Sequence, residues 1–159
     1  MRLRESVRAL VLDPDDHVLL VRFYWDGLEF EKGFWANPGG GLEPGETRAA
    51  ALRRELAEEC GLPVKEIGPE IWTNTAHFDL GRWDGQVDHI HLVRTQRIVP
   101  RPGKSAAELA AENIHEIRWW SPEEIANGDE VFAPRRFADL FAKLLTEGVP
   151  REPVEIFGF

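Results

Sequence analysis

Three glutamates, Glu55, Glu58 and Glu59, stand at i, i+3 and i+4 in a run of good helix formers, RAAALRRELAEEC. On a helix this spacing puts the carboxylates on one face. Like charges so placed repel, weakening an isolated helix by about 0.2–0.5 kcal/mol per pair. A cation held between them reverses that effect. Carboxylates are the hard oxygen donors that Mg²⁺ takes, in near-octahedral geometry at roughly 2.0–2.1 Å with several waters kept. Ahead of the acids, behind Pro38, come three glycines, Gly39, Gly40 and Gly41. They read as a loop whose backbone approaches a metal or a phosphate closely. Gly61 then supplies the residue that a helix C-terminus most often uses. Taken alone, three acids read more simply as a solvated helix face.

The spacing of the whole stretch adds to this. Gly40 is followed after five residues by Glu46, and after seven more by Arg54-Glu55-Leu56. Glu58-Glu59 and Gly61-Leu62 then follow, each after one residue. This matches the Nudix box at every defined position, and the chain resembles the Nudix (MutT-like) hydrolases. The resemblance implies an α/β fold, the Nudix alpha/beta/alpha sandwich with a mixed central sheet, over a single domain of residues 1–159. It implies hydrolysis of a nucleoside diphosphate linked to another moiety, with Mg²⁺ as cofactor and Mn²⁺ as a substitute. Carried over residue by residue, Glu55, Glu58 and Glu59 are the metal ligands, and the backbone of Gly39 or Gly40 completes the shell and meets the substrate. Arg54 and Glu46 serve catalysis by orienting the loop and ligands through an ion pair. Arg22 is the expected phosphate contact, since many relatives carry a basic residue there; an exposed strand charge is the even alternative. The general base is left open between Glu55 and a later acid, Glu108, Glu112 or Glu116.

Composition bounds the partners. The 159 residues are 43% hydrophobic, enough for one ordinary core, and carry a formal charge of −9. That field repels a long nucleic acid, while a small phosphorylated ligand binds if a metal and a few arginines neutralise it locally. Cys60 is the single cysteine, so no intrachain disulfide forms, which fits a reducing, cytoplasmic compartment. No apolar stretch is long enough to span a membrane, and the segment after Met1 is no signal peptide.

The positioning elements follow from pattern. Ser6–Leu12 and His17–Tyr24 predict a hairpin across the turn cluster Asp13-Pro14-Asp15-Asp16, with His17 solvated. A short strand, Phe34 to Pro38, runs into the glycines, and Trp35 is expected in the core. Thr47 is the expected N-cap of a helix reaching Cys60, packed by Ala50, Ala51, Leu52 and Leu56 on one face with the acids on the other. Glu70–Leu80 and Gln86–Ile98 read as strands, with His89 and His91 on one strand face; a zinc site there lacks a third ligand nearby. Ser105–Asn113 has helical composition, and His115–Trp120 reads as a strand. Ser121-Pro122 opens a short helix. Residues 128–134 read as a loop. In the helix Arg135–Glu147, the stripe of Phe137, Leu140, Phe141 and Leu144 fits the core or a dimer face, which leaves a homodimer open. The apolar tail, 149–159, is expected to dock.

Two other classes compete with the hydrolase. One is a catalytically silent Nudix module that binds a nucleotide-like ligand and regulates a partner. The other is an interaction protein whose acidic helix is only solvated. Metal-dependent turnover of a diphosphate compound separates the first from both.

Overall fold

The computed structural model describes residues 2–159, apart from the side chains of Asp79 and Leu80. In chain order the elements are β1 (Leu3–Leu12), β2 (Val18–Phe23), β3 (Phe34–Ala36), β4 (Gly39–Gly41), α1 (Arg48–Cys60), β5 (Glu70–Leu80), β6 (Trp83–Arg94), α2 (Ala106–Ala111), β7 (Ile114–Trp120), α3 (Pro122–Asn127), β8 (Phe132–Ala133), α4 (Phe137–Glu147) and β9 (Val154–Phe157). The strands form one mixed sheet in the order β8-β3-β2-β1-β6-β5-β9, with β4 also paired to β1 and β7 to β2.

The hairpin of β1 and β2 lies at the centre because it is apolar on both faces. Val7, Ala9, Val11, Leu19 and Val21 pack with Ala51, Leu52, Leu56 and Cys60 of α1. Leu10, Leu12, Val18 and Leu20 pack with Phe137, Leu140, Phe141 and Leu144 of α4. Alternation along each strand thus feeds two cores, one on each side of the sheet, and makes the expected alpha/beta/alpha layering. The α4 stripe is core, so it offers no dimer face. Trp35 is core too, meeting Trp120 edge-on at 5.1 Å.

Helix α1 is bounded as its sequence predicts. The Thr47 side chain accepts from the Ala50 N–H at 3.1 Å, and Gly61 closes the helix at φ 65°. Helix α2 carries a reciprocal cap between Ser105 and Glu108, and buries Leu109.

Four expectations change. The glycines are not a loop: Gly39, Gly40 and Gly41 form β4, paired antiparallel with Arg8, Val7 and Ser6. Missing side chains are what let this strand lie between β1 and α1. A Cβ at Gly39 would come within 2.2 Å of the Val7 carbonyl oxygen, and one at Gly40 within 2.6 Å of the Glu55 carboxylate. The acids are not all turned away from the packed face of α1. Glu55 and Glu59 are buried beside Ala51 and Leu56, because they lie one and two turns along from Ala51 on the stripe that β4 covers. Residues 128–134 include a strand, since Trp35 and Ala36 of β3 pair in parallel with β8. His17 is half-buried rather than solvated.

The tail docks on its own chain. Strand β9 adds in parallel to the edge strand β5, and Ile156 is buried in the α4-side core.

Candidate active site

The acidic site is built where α1 crosses β4. Glu59 is 2% exposed, and its carboxylate accepts the Gly39 N–H at 3.2 Å. Burial pushes the Glu59 carboxyl well above the usual range, and the Glu55 charge adds to this; Arg8 and the Gly39 amide pull the other way. Glu55 lies against Gly40, filling the space a side chain there would take. Glu58 is more exposed and is drawn outward by two cations, Arg54 and Lys104, each 3.4 Å from Glu58 Oε2. The structure thus brings Glu55 and Glu59 together and leaves Glu58 at the margin. The same Arg54 nitrogen stands between Glu55 and Glu58, 3.0 Å from one carboxylate and 3.4 Å from the other.

Arg54 ties the stretch together. It holds Glu46 through two bonds, at 2.8 and 2.9 Å, reaches Glu55 at 3.0 Å, and donates to the Gly41 carbonyl at 3.2 Å. The expected Arg54–Glu46 ion pair is therefore present, with an i,i+4 contact from Arg54 to Glu58 beside it. Its hydrogen bonds from Arg54 lower the Glu46 carboxyl to about 2. The Glu46 bond in turn raises Arg54 further above its already high value.

Beyond β4 lies a cavity of about 660 Å³. Arg4, Arg8 and Asn37 line it, with Phe23, Trp25, Phe34, Asn74, Asp88, Glu112 and Phe159. Arg4 and Arg8 continue the even-numbered face of β1 that Leu10 and Leu12 present to α4. Both also touch the glycine strand, since a Cβ at Gly41 would meet the Arg4 guanidinium and one at Gly39 would meet Arg8. Two cations therefore stand between the acids and the cavity. They are held from β6 and from the turn before β4. Arg4 donates to Gln86 at 3.1 Å, while Arg8 donates to Asp88 at 3.2 Å and to the Asn37 carbonyl at 2.9 Å. Asp88 also accepts from Ser6 and from Gln86. Burial tends to raise the Asp88 carboxyl, but Arg8 and these donors outweigh it and hold it below the usual range.

Sequence reasoning missed Arg4, Arg8 and Asn74. The available signal was the polar stripe Arg4, Ser6, Arg8 at every second residue of an otherwise apolar strand. Arg22, the basic residue singled out instead, does not line the cavity. Its guanidinium bonds Glu116 at 3.2 Å and the Lys32 carbonyl at 3.3 Å. Of the later acids, Glu108 caps α2 and Glu116 pairs with Arg22, whereas Glu112 lines the cavity and takes Lys104 at 2.5 Å. His89 is held by Glu70 at 2.6 Å and His91 by the Gly68 carbonyl at 2.9 Å, each through its Nδ1.

As to a metal, Glu55 and Glu59 with the Gly39–Gly40 backbone fit a hard divalent cation. Their donors are oxygens, one acid is buried without a close cationic partner, and the absent side chain at Gly40 lets the Glu55 carboxylate lie against the β4 backbone. A second group, Asp13, Asp15 and His17, brings its ligand atoms within 4.8 Å of one another in the β1–β2 turn. It lies outside the cavity lining, and Asp13 is already engaged. One oxygen accepts the Asp15 and His17 amides at 2.9 and 2.8 Å, and Arg97 is 3.3 Å from the other.

Comparisons with known proteins give the family and the fold. The NUDIX domain family model matches residues 2–141. The nucleoside triphosphatase NudI of Escherichia coli K12 is 33% identical over 139 residues, covering 86% of this chain and 94% of that protein. Among solved structures, a MutT protein from Methanosarcina mazei Go1 superposes with a TM-score of 0.65 at 23% identity, over 94% of this chain and 97% of that one. The NUDIX domain of Shewanella oneidensis NrtR, solved with ADP ribose, gives 0.64 at 17% identity, over 91% and 89%. The chain belongs to the NUDIX family. It is a pyrophosphohydrolase of the class that acts on phosphorus-containing acid anhydrides. No helix among the described residues is long and apolar enough to cross a membrane.

Proposed function

We propose that this chain cleaves the diphosphate linkage of a small nucleoside diphosphate derivative, with Mg²⁺ as the ion and Mn²⁺ as a substitute. A nucleoside triphosphate falls within that class, and the name of the Escherichia coli relative points to it. The observation that carries the reading is the junction at β4. Buried acids lie on one side of a side-chain-free strand, and Arg4 and Arg8 in an open cavity lie on the other.

In this reading Glu55, Glu58 and Glu59 hold the ion, with a backbone carbonyl of Gly39 or Gly40. When bound, the ion neutralises non-bridging phosphate oxygens and lowers the pKa of water. The remaining work falls to the chain's own groups. Arg54 and Glu46 fix the β4–α1 connection, so that Glu55 is held at Gly40. Arg4 and Arg8 take the phosphate contacts first expected of Arg22; Gln86, Asp88 and the Asn37 carbonyl hold them in place before substrate arrives. Glu55 is the first choice for the base that takes a proton from the attacking water, and Glu112, which lines the cavity and pairs with Lys104, is the second.

No observation of the site favours the silent module, since a pure binder has no need of three acids and their Arg54 brace. The same reading makes the whole chain one domain. It places the enzyme in the cytoplasm beside its nucleotides, which suits a single buried cysteine.

The test is turnover of nucleoside triphosphates and nucleoside diphosphate derivatives with Mg²⁺, read as phosphate or pyrophosphate release. Hydrolysis of at least one of them, abolished by chelation, is expected. No turnover of any, with tight binding of one, would establish the silent module instead.

A further inference from the structure

Part of the cavity wall is aromatic, and the tail supplies a piece of it. Trp25, Phe34 and Phe159 line the cavity. Phe34 meets Trp25 edge-on at 5.6 Å and Phe159 edge-on at 5.1 Å. Phe159 arrives there because β9 pairs with β5 and the Gly158 N–H donates to the Thr75 carbonyl at 2.9 Å. Its ring then stacks on Phe30, centroids 5.5 Å apart. Trp25 and Phe159 stay 42% and 49% exposed, so packing within the chain does not account for two large rings at one cavity.

A second observation is independent of the rings. Asn74, on β5 and in the same cavity, is 8% exposed, and its side-chain carbonyl oxygen, itself enclosed, has no hydrogen-bond partner among the described residues. A buried acceptor left unpaired is unfavourable and marks a place for a donor. A polyphosphate offers mainly acceptors. A flat heterocycle with N–H groups on its edge offers both a stacking face and a donor.

We propose that the aromatic wall holds the nucleobase of the substrate, with Phe159 of the tail as a stacking and specificity residue and Asn74, its amide turned toward the cavity, accepting an N–H from the base edge. This rests on the function proposed above. It adds that residues beyond the last helix belong to the binding site, so that base recognition depends on β9 docking against β5.

The test compares ATP, GTP, CTP and UTP with inorganic triphosphate, which has no base, at saturating Mg²⁺. Phe159→Ala should raise KM for the preferred nucleotide by about tenfold, in the range for loss of one base–aromatic stack. It should leave kcat and the KM for inorganic triphosphate near wild type. Phe159→Trp should retain the nucleotide KM, and Asn74→Leu should repeat the loss for nucleotide alone. An unchanged nucleotide KM in Phe159→Ala overturns the proposal. An equal rise for inorganic triphosphate also overturns it, since the tail would then act only on structure. Wild-type enzyme that handles inorganic triphosphate as well as every nucleotide overturns it while leaving the hydrolase reading intact. Failure to turn over any nucleoside triphosphate while another nucleoside diphosphate derivative is hydrolysed moves the same comparison to that compound and its base-free analogue; failure on all of them removes the hydrolase reading itself, and this proposal with it.

Discussion

At the scale of single residues the site is arranged against its own stability. Glu59 is nearly enclosed, beside another acid, and its carboxyl is held well above the usual range by burial and by Glu55. The folded state therefore binds this proton more readily than the unfolded chain does. In metal-free protein its effect on stability is most favourable at low pH and is lost as pH rises through the folded value. Glu59→Gln should thus raise the melting temperature of the metal-free protein at neutral pH, by about 2–4 °C per kcal/mol recovered. It should also flatten the pH dependence; thermal melts in chelator from pH 5 to 8 would show both. A lower melting temperature across that range would contradict the account. Glu46 carries the opposite sign. Arg54 lowers it from 4.5 to about 2, so its contribution is present above 4.5 and is lost as pH falls toward 2. Carboxyl NMR should find a Glu46 midpoint near 2, returning toward 4.5 in Arg54→Gln. The acids were legible because nine defined positions fall in one contiguous stretch. Arg4, Arg8, Asn74 and Phe159 were not, since β1, β5 and the tail bring them together only in space.

At the scale of elements, the strand of three glycines and the helix after it act as one unit. A glycine run reads as a loop in sequence, because the reason for it is what lies on either side. Here β1 and the Glu55 carboxylate leave no room for side chains. The same covering strand explains why the acids' burial could not be read from helix periodicity. The stripe of Ala51, Glu55 and Glu59 looks half polar until β4 is laid across it. Both helix ends, by contrast, were legible from Thr47 and Gly61, since caps depend on local chemistry. Gly61 is also fixed by its neighbour: at φ 65°, a Cβ there would fall 1.7 Å from the Arg101 carbonyl oxygen. Gly61→Ala should destabilise by more than about 1 kcal/mol, the ordinary cost of a side chain at positive φ without such a clash. Urea unfolding monitored by circular dichroism measures it, and a midpoint equal to wild type would show that the helix end can relax.

At the scale of the molecule, apolar residues on both faces of β1 and β2 set a two-sided sheet; the hairpin was legible from its turn and apolar runs, and the layering came with the Nudix resemblance. Strand partners were less so: β1 lies parallel to β6, and β9 parallel to β5, contacts that no local pattern encodes. The net charge of −9 leaves Arg4 and Arg8 as a local exception rather than part of a basic surface. The enzyme should not hold duplex DNA at physiological salt; tight binding that weakens steeply with added salt would contradict this. The central claim is that the buried acids under β4 do the chemistry. Its most direct test is kcat at saturating Mg²⁺ for Glu55→Gln and Glu59→Gln, beside Glu123→Gln in α3 as a control, with folding checked by circular dichroism. The account predicts a fall of about 100-fold or more for the first two, the scale on which lost transition-state stabilisation is felt, and little change for the third. Near wild-type turnover in folded Glu55→Gln and Glu59→Gln would show that catalysis lies elsewhere.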